Sequence, residues 1–255
     1  MALMCVSTVQ AKLSFKQYND VLDTIYKKYN PIYLKAQAKF IIKRSWEIDK
    51  VNAKARLNGN EWIIDMMGGY PKHDKATIDG FIAFTCHEIG HHFGGFPYWS
   101  EPNALWASAE GQADYFVTTK CLRYLWENED NKSATLNKVI EPLIFSRCSE
   151  VYSNEKDYHL CVRSTQASRE MLAPIAYNYD KISVTTPYTW VTTFTFVNQH
   201  PGYQCRLDTF FQGALCPIDY REDFDNEDET IGACSRLNGQ VQGSRPRCWF
   251  LPRGF

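Results

Sequence analysis

The chain is 255 residues long, with 29 acidic against 28 basic side chains, a net charge of −1 and 44% hydrophobic residues. Such a chain can bury a full core, as one large domain or as a core with an extension, and its charge balance gives no footing for nucleic acid or an anionic membrane as the main partner. No run approaches the ~20 apolar residues that span a bilayer, so no transmembrane segment is expected.

In chain order, residues 1–11 (Met-Ala-Leu-Met-Cys-Val-Ser-Thr-Val-Gln-Ala) look like the tail of a signal peptide without its basic start, and are expected to be a signal-peptide remnant or an artificial start. Ser14 to Tyr29 carries apolar residues at helical spacing (Phe15, Tyr18, Val21, Leu22, Ile25, Tyr26) and should end before Pro31. Phe40 to Ile48 and Val51 to Leu57 suggest strands. Asn58-Gly59-Asn60 is a turn, and Glu61 to Met67 (EWIIDMM) is the next strand. Thr77 is a plausible N-cap for a heavily apolar helix containing Ile78, Phe81, Ile82, Phe84 and Ile89, with Asp79 at the positive end of its dipole. Gly94-Gly95 offers its stop. Ala107 to Tyr124 reads as a second helix. Ala134 to Ser149 and Asp157 to Tyr177 are mostly helical, interrupted by Pro142 and Pro174. Thr185 to Phe196 is β-rich, and Gln204 to Phe255 is rich in Cys, Gly and Pro without strong periodicity. The acidic run Glu222 to Glu229 reads as a solvated loop whose spacing matches no EF-hand. There is no internal repeat.

The chemistry concentrates in the two helices near the centre. His87-Glu88-Ile89-Gly90-His91 is the H-E-x-x-H pattern, and Glu110-Gly-Gln-Ala-Asp114 follows it. A helix turns about 100° per residue, so His87 and His91 lie ~40° apart on one face and can share a tetrahedral Zn2+. Glu88 flanks that face, close enough to take a proton from a zinc-activated water and pass it to a leaving amine. Glu110 can complete the ligand set. Asp114, one turn on, can accept the outer N–H of a ligand histidine and fix its tautomer. The plain alternative for both motifs is a charged, solvated helix face. Against it, Ala109, Ala113, Phe116 and Val117 give the second helix a buried character.

H-E-x-x-H followed by E-x-x-A-D resembles the gluzincin metallopeptidases. It is similar in particular to the branch holding the CAAX prenyl endopeptidases, the HtpX heat-shock proteases and their soluble periplasmic relatives. His200-Pro-Gly-Tyr-Gln-Cys-Arg206 is similar to the His-Pro-x-x-x-x-Arg segment of those proteins. The resemblance spans roughly Trp62 to Leu207, and three short motifs carry it. It implies an α+β zincin-like fold with an active-site helix, a glutamate helix and a small N-terminal sheet. It also implies one catalytic Zn2+ held by His87, His91 and Glu110, and His200 as donor to the oxyanion. Arg206 would orient His200 or bind a substrate carboxylate; Tyr115, Tyr98, His159 and Tyr177 are further candidates for the donor. The strand Glu61 to Met67 would border the cleft and pair with an extended substrate, although a plain core hairpin reads equally well. His92 is expected beside the ligands rather than among them, and His73 in a structural or solvent-facing turn. The chain departs from the family in lacking transmembrane helices and in its many cysteines.

Nine cysteines are present and none forms a C-x-x-C pair, which argues against a zinc ribbon. Setting Cys5 aside with the leader leaves eight, an even number that suits four disulfides and an oxidising compartment. Local candidates are Cys148–Cys161, Cys205–Cys216 and Cys234–Cys248, leaving Cys86 and Cys121 to join the two metal helices. Buried free thiols in a cytosolic protein are the alternative.

These readings predict a zincin catalytic domain over 12–203 with a disulfide-stapled extension over 204–255. The expected protein is a secreted or periplasmic zinc endopeptidase of the bacterial envelope, acting on peptide or protein substrates through Glu88. Two alternatives stay open: a zinc amidase acting on cell-wall or other non-protein amides, and a catalytically silent binding or assembly protein on the same fold.

Overall fold

A computed structural model describes residues 12–254, and the expected leader with Cys5 lies outside them. Within that span the architecture is α+β: a small three-stranded sheet against the helices Phe15–Lys35 and Ile78–Phe93, the remaining helices packed on one another, and four disulfides. No helix among the described residues is long and apolar enough to cross a membrane.

Helix α1 (Phe15–Lys35) begins where Ser14 and Gln17 cap one another, each side chain accepting from the other's backbone N–H. It runs through Pro31 instead of ending before it. Proline forfeits one backbone hydrogen bond there, but the turn beyond is anchored by Tyr33. That side chain is fully buried, stacks on Phe40 at 3.9 Å and bonds His92 Nδ1 at 2.8 Å through its hydroxyl.

The sheet comprises β1 (Lys39–Ser45), β2 (Ala53–Asn58) and β3 (Glu61–Met67) in the order β1-β3-β2. β3 pairs in parallel with β1 and antiparallel with β2, through a turn in which Gly59 takes φ 59°. β3 is therefore the central strand. The expectation that it would border the cleft and pair with substrate is corrected: both its edges are occupied, and the free edge near the site belongs to β2.

Helix α2 (Ile78–Phe93) starts at Thr77, whose Oγ1 accepts from Gly80 N–H at 2.9 Å, and Gly95 supplies the left-handed residue after its end. The helix carrying Glu110 and Asp114 is interrupted. It runs as α3 (Glu110–Phe116), a π-helical turn over Val117–Cys121, and α4 (Leu122–Trp126). Gly90 lets α2 and α3 approach closely, since a Cβ there would come within 2.8 Å of the Ala113 carbonyl oxygen. Cys86–Cys121 then bridges the pair, with Cα atoms 5.8 Å apart.

Helices α5 (Pro142–Val151) and α6 (Glu155–Leu172) are joined by Cys148–Cys161. Pro142 opens α5 rather than interrupting it, because the first helical position needs no N–H partner. At the start of α2, Asp79 is buried and accepts a two-pronged ion pair from Arg163 of α6, with Lys138 beside it.

Three expectations for the last third are corrected. Thr185 to Phe196 forms no strand; it is an irregular, largely exposed segment tied to the C-terminal residues by Thr192 N–H to Arg247 O and Phe196 N–H to Trp249 O. Its Thr and aromatic residues favour strands, but that preference needs a ladder partner, and the facing stretch carries Pro246 and Pro252. Residues after 203 are not irregular from the outset: α7 (Tyr203–Ala214) places Leu207 and Phe210 in the main core. That helix also decides the remaining disulfides. Cys205 and Cys216 stand near its opposite ends, about 16 Å apart at 1.5 Å per residue, too far to bridge. The observed pairs are instead Cys205–Cys248 and Cys216–Cys234.

Candidate metal centre

Helices α2 and α3 bring His87, His91 and Glu110 together, with one potential ligand atom from each lying within 4.8 Å of the others. All three are buried. Glu110 Oε2 sits 3.0 Å from His87 Nε2, and Oε1 is 3.8 Å from His91 Nε2. The outer ring nitrogens are engaged elsewhere. His87 Nδ1 lies 2.8 Å from Asp114 Oδ1, and His91 Nδ1 lies 2.8 Å from the Ser108 carbonyl oxygen. With the Ser108 carbonyl on His91 Nδ1 and the Asp114 carboxylate in ion-pair contact with His87 Nδ1, each Nε2 is the atom left to coordinate, facing the Glu110 carboxylate. Two such imidazoles and one carboxylate suit a divalent cation of borderline softness.

The charges agree with that arrangement. Burial alone would lower the His87 pKa, but Asp114 and Glu110 outweigh it and raise it to about 10. The two carboxylates thus favour positive charge beside the His87 ring. Burial acts against ionised Glu110, yet His91, His200 and His87 together hold it well below the usual carboxylate range. Asp114 is depressed in the same way, by Arg206 and His87 against its burial. Glu88 goes the other direction: burial pushes its carboxyl up, against the opposing pull of His87, His91 and the Ala55 backbone N–H of β2. Glu88 is thus a buried carboxyl that holds a proton more readily than an exposed one, beside the two imidazoles.

These groups lie in an open cleft of about 1100 Å³. Its lining includes residues 51–55 with the start of β2, and Trp99, Trp106 and Ala107. Tyr177, Tyr188, His200 and Tyr203 also line it. His200 Nε2 reaches Glu110 Oε2 at 3.1 Å, although its side chain is 60% exposed.

The other candidates are distributed differently. Arg206 lines the cleft but is spoken for: its Nε and Nη2 fork onto Asp114 at 2.7 and 2.8 Å, which replaces the expected contact with His200 or a substrate carboxylate. Tyr115 is fully buried on α3 and donates to the Gly243 carbonyl at 2.6 Å, so it is not brought to the cleft. Tyr98 bonds Asn226, His159 packs on the Tyr158 ring, and Tyr177 stands exposed on the rim. His73 Nδ1 accepts from Lys75 N–H within its turn. His92 is buried, with Nδ1 toward Tyr33 and Nε2 3.3 Å from the Arg56 carbonyl of β2; burial and the nearby His91 keep it neutral, with a pKa pushed down to about 3.

Sequence reasoning missed three contributors. The Ser108 carbonyl that orients His91 is a backbone group with no sequence signal. The Ala55 N–H beside Glu88 depends on β2 being the edge strand. The Arg206–Asp114 fork spans 92 positions and becomes visible once α7 packs against α3. No protein-family model, no curated protein and no solved structure matches this chain.

Proposed function

We propose that the protein is a zinc-dependent endopeptidase with a zincin-like fold, working in an oxidising compartment outside the cytoplasm. The observation that carries this reading is the paired orientation of His87 and His91. Each Nε2 is left to face Glu110 because Asp114 and the Ser108 carbonyl hold the outer nitrogens. A Zn2+ held by His87, His91 and Glu110 would supply Lewis-acid polarisation of a carbonyl and a water whose pKa falls toward about 7. The chain's own groups do the rest. Glu88 accepts a proton and returns it to the leaving amine. His200, at the mouth of the site, donates to the oxygen on which negative charge develops. The β2 edge offers backbone groups to an extended polypeptide, and the aromatic walls of the cleft pack on its side chains. The four disulfides support secretion or a periplasmic location, since such bonds persist where thiols are not kept reduced. The resemblance of both motifs to the gluzincin pattern supports the same chemistry.

Replacing Glu88 by Gln tests the reading, because it removes the base and leaves every metal donor in place. Zinc content by elemental analysis should stay at about one per chain, while cleavage of a broad peptide library is lost. Full activity in Glu88→Gln would overturn the mechanism. Stoichiometric zinc with no cleavage by the unaltered protein would move the assignment to a non-peptide amide or to a binding role.

A further inference from the structure

His200 reaches the centre from a loop with no regular structure, so something else must fix its position. The loop is anchored before His200 by Phe196 N–H bonding Trp249 O, and after it by Gly202, which caps α7. Between these anchors Pro201 packs inward and Asn198 reaches across to the segment preceding α3. There the two residues make a reciprocal pair: Ser100 backbone N–H donates to Asn198 Oδ1 at 2.9 Å, and Asn198 Nδ2 donates to Ser100 Oγ at 2.7 Å. The same segment carries the Ser108 carbonyl that orients His91, and it is braced by Trp99 N–H to Ala107 O at 2.9 Å. Ser100 stands between the cleft-lining residues Trp99 and Glu101, and Asn198 stands two positions before His200. The pair therefore ties the segment carrying Trp99 and Ser108 to the loop carrying His200.

We infer that Ser100 and Asn198 are positioning residues, a latch that holds the His200 imidazole against Glu110 and so sets its aim at the reacting carbonyl. The inference rests on the endopeptidase reading above and adds to it the device that orders its least anchored group. Two hydrogen bonds exposed to water are weak individually, yet they act on a loop with few other restraints. Releasing them lets His200 leave its position for much of the time, without touching a metal donor, Glu88 or the β2 edge. The consequence belongs to the transition state and not to ground-state binding of substrate.

Asn198→Ala should lower kcat about tenfold, with KM and zinc content unchanged. Ser100→Thr, which keeps both the backbone donor and a hydroxyl acceptor, should remain close to the unaltered protein. Hydrogen exchange on the metal-free protein gives a readout independent of turnover: the hydrogen-bonded amides of Ser100 and Phe196 should exchange faster in Asn198→Ala. If Asn198→Ala keeps full kcat, or if His200→Ala is as active as the unaltered protein, the latch is overturned. If the unaltered protein binds zinc but turns nothing over, the endopeptidase reading fails, and exchange alone then decides the latch. Unchanged exchange at Ser100 and Phe196 overturns it, and faster exchange upholds the anchoring.

Discussion

Replacing Arg206 by Met would remove a charge that touches no metal donor, yet it should weaken both the fold and the metal centre. Arg206 is 4% exposed and Asp114 is fully buried, and their fork of 2.7 and 2.8 Å is the main compensation for the Asp114 charge. Methionine keeps much of the apolar stem, so little packing is lost. What remains is a buried carboxylate supported by His87 alone. Breaking one side of a buried ion pair costs about 3–5 kcal/mol. The second effect passes through His87, because a carboxylate that drifts or takes up a proton no longer holds Nδ1, and loss of such a support costs about 10–100-fold in metal affinity.

Urea unfolding of the metal-free protein reads the first effect, and zinc competition against a chromophoric chelator reads the second. Arg206→Met combined with Asp114→Asn separates the two causes. With the buried charge gone, much of the lost stability should return, while the weakened zinc affinity should not. A loss under about 1 kcal/mol in Arg206→Met, the range of an exposed pair, with unchanged zinc affinity would refute the chain of support from Arg206 through Asp114 to His87.

Other perturbations probe the scaffold. Replacing Cys86 and Cys121 together by Ala opens a loop of 35 residues between the two metal helices and should cost about 4 kcal/mol in the unfolding free energy; a change within 1 kcal/mol would mean that packing alone holds α2 against α3. Gly111→Ala would ordinarily favour a helix, but a Cβ there collides with the Trp249 ring, so a loss of roughly 1–3 kcal/mol and weaker zinc binding are expected. A raised melting temperature would show that the ring yields freely. Burial pushes the Asp208 pKa up to about 6 against the pull of the Tyr188 N–H and Gln204. Because that value lies above the unfolded one near 3.9, its contribution is complete below about pH 4 and is lost as pH rises through 6, amounting to ~3 kcal/mol. Asp208→Asn should flatten the stability profile over that window, and an unaltered slope would assign it to other groups.

Much of the centre was legible because helical periodicity carries it. His87 and His91, and Glu110 and Asp114, are spaced to share a face within one helix, and counting turns also placed Cys86 against Cys121. The rest depended on relations that periodicity does not record. Strand order is one. EWIIDMM is buried over its last four residues without alternation, whereas β2 is mostly exposed, which is the contrast between a central and an edge strand. Arg206 is another: its position in a helix was hidden by a Cys-, Gly- and Pro-rich surrounding, and its partner lies 92 positions earlier. The mistaken Cys205–Cys216 pairing has the same origin, since an unseen helix makes its two ends look close.

The C-terminal residues form part of the support for the site. Tyr115, expected near the chemistry, instead reaches away from it to the Gly243 carbonyl and accepts from Cys234 N–H. Arg245 donates to Gln112 Oε1, while Gln112 Nε2 donates to Gly94 O at the end of α2. The Trp249 ring lies against Gly111, and Cys205–Cys248 ties that stretch to the first turn of α7, next to Arg206. Glu110 and Asp114 therefore face the histidines from a short helix that is gripped along its back at positions 111, 112 and 115. The π turn over Val117–Cys121 interrupts the regular helical ladder just beyond Asp114, so contacts from outside the helix bear on where the two carboxylates point. The disulfide-stapled tail supplies those contacts, which gives a physical reason for a candidate metal centre of three donors to be accompanied by so many cysteines.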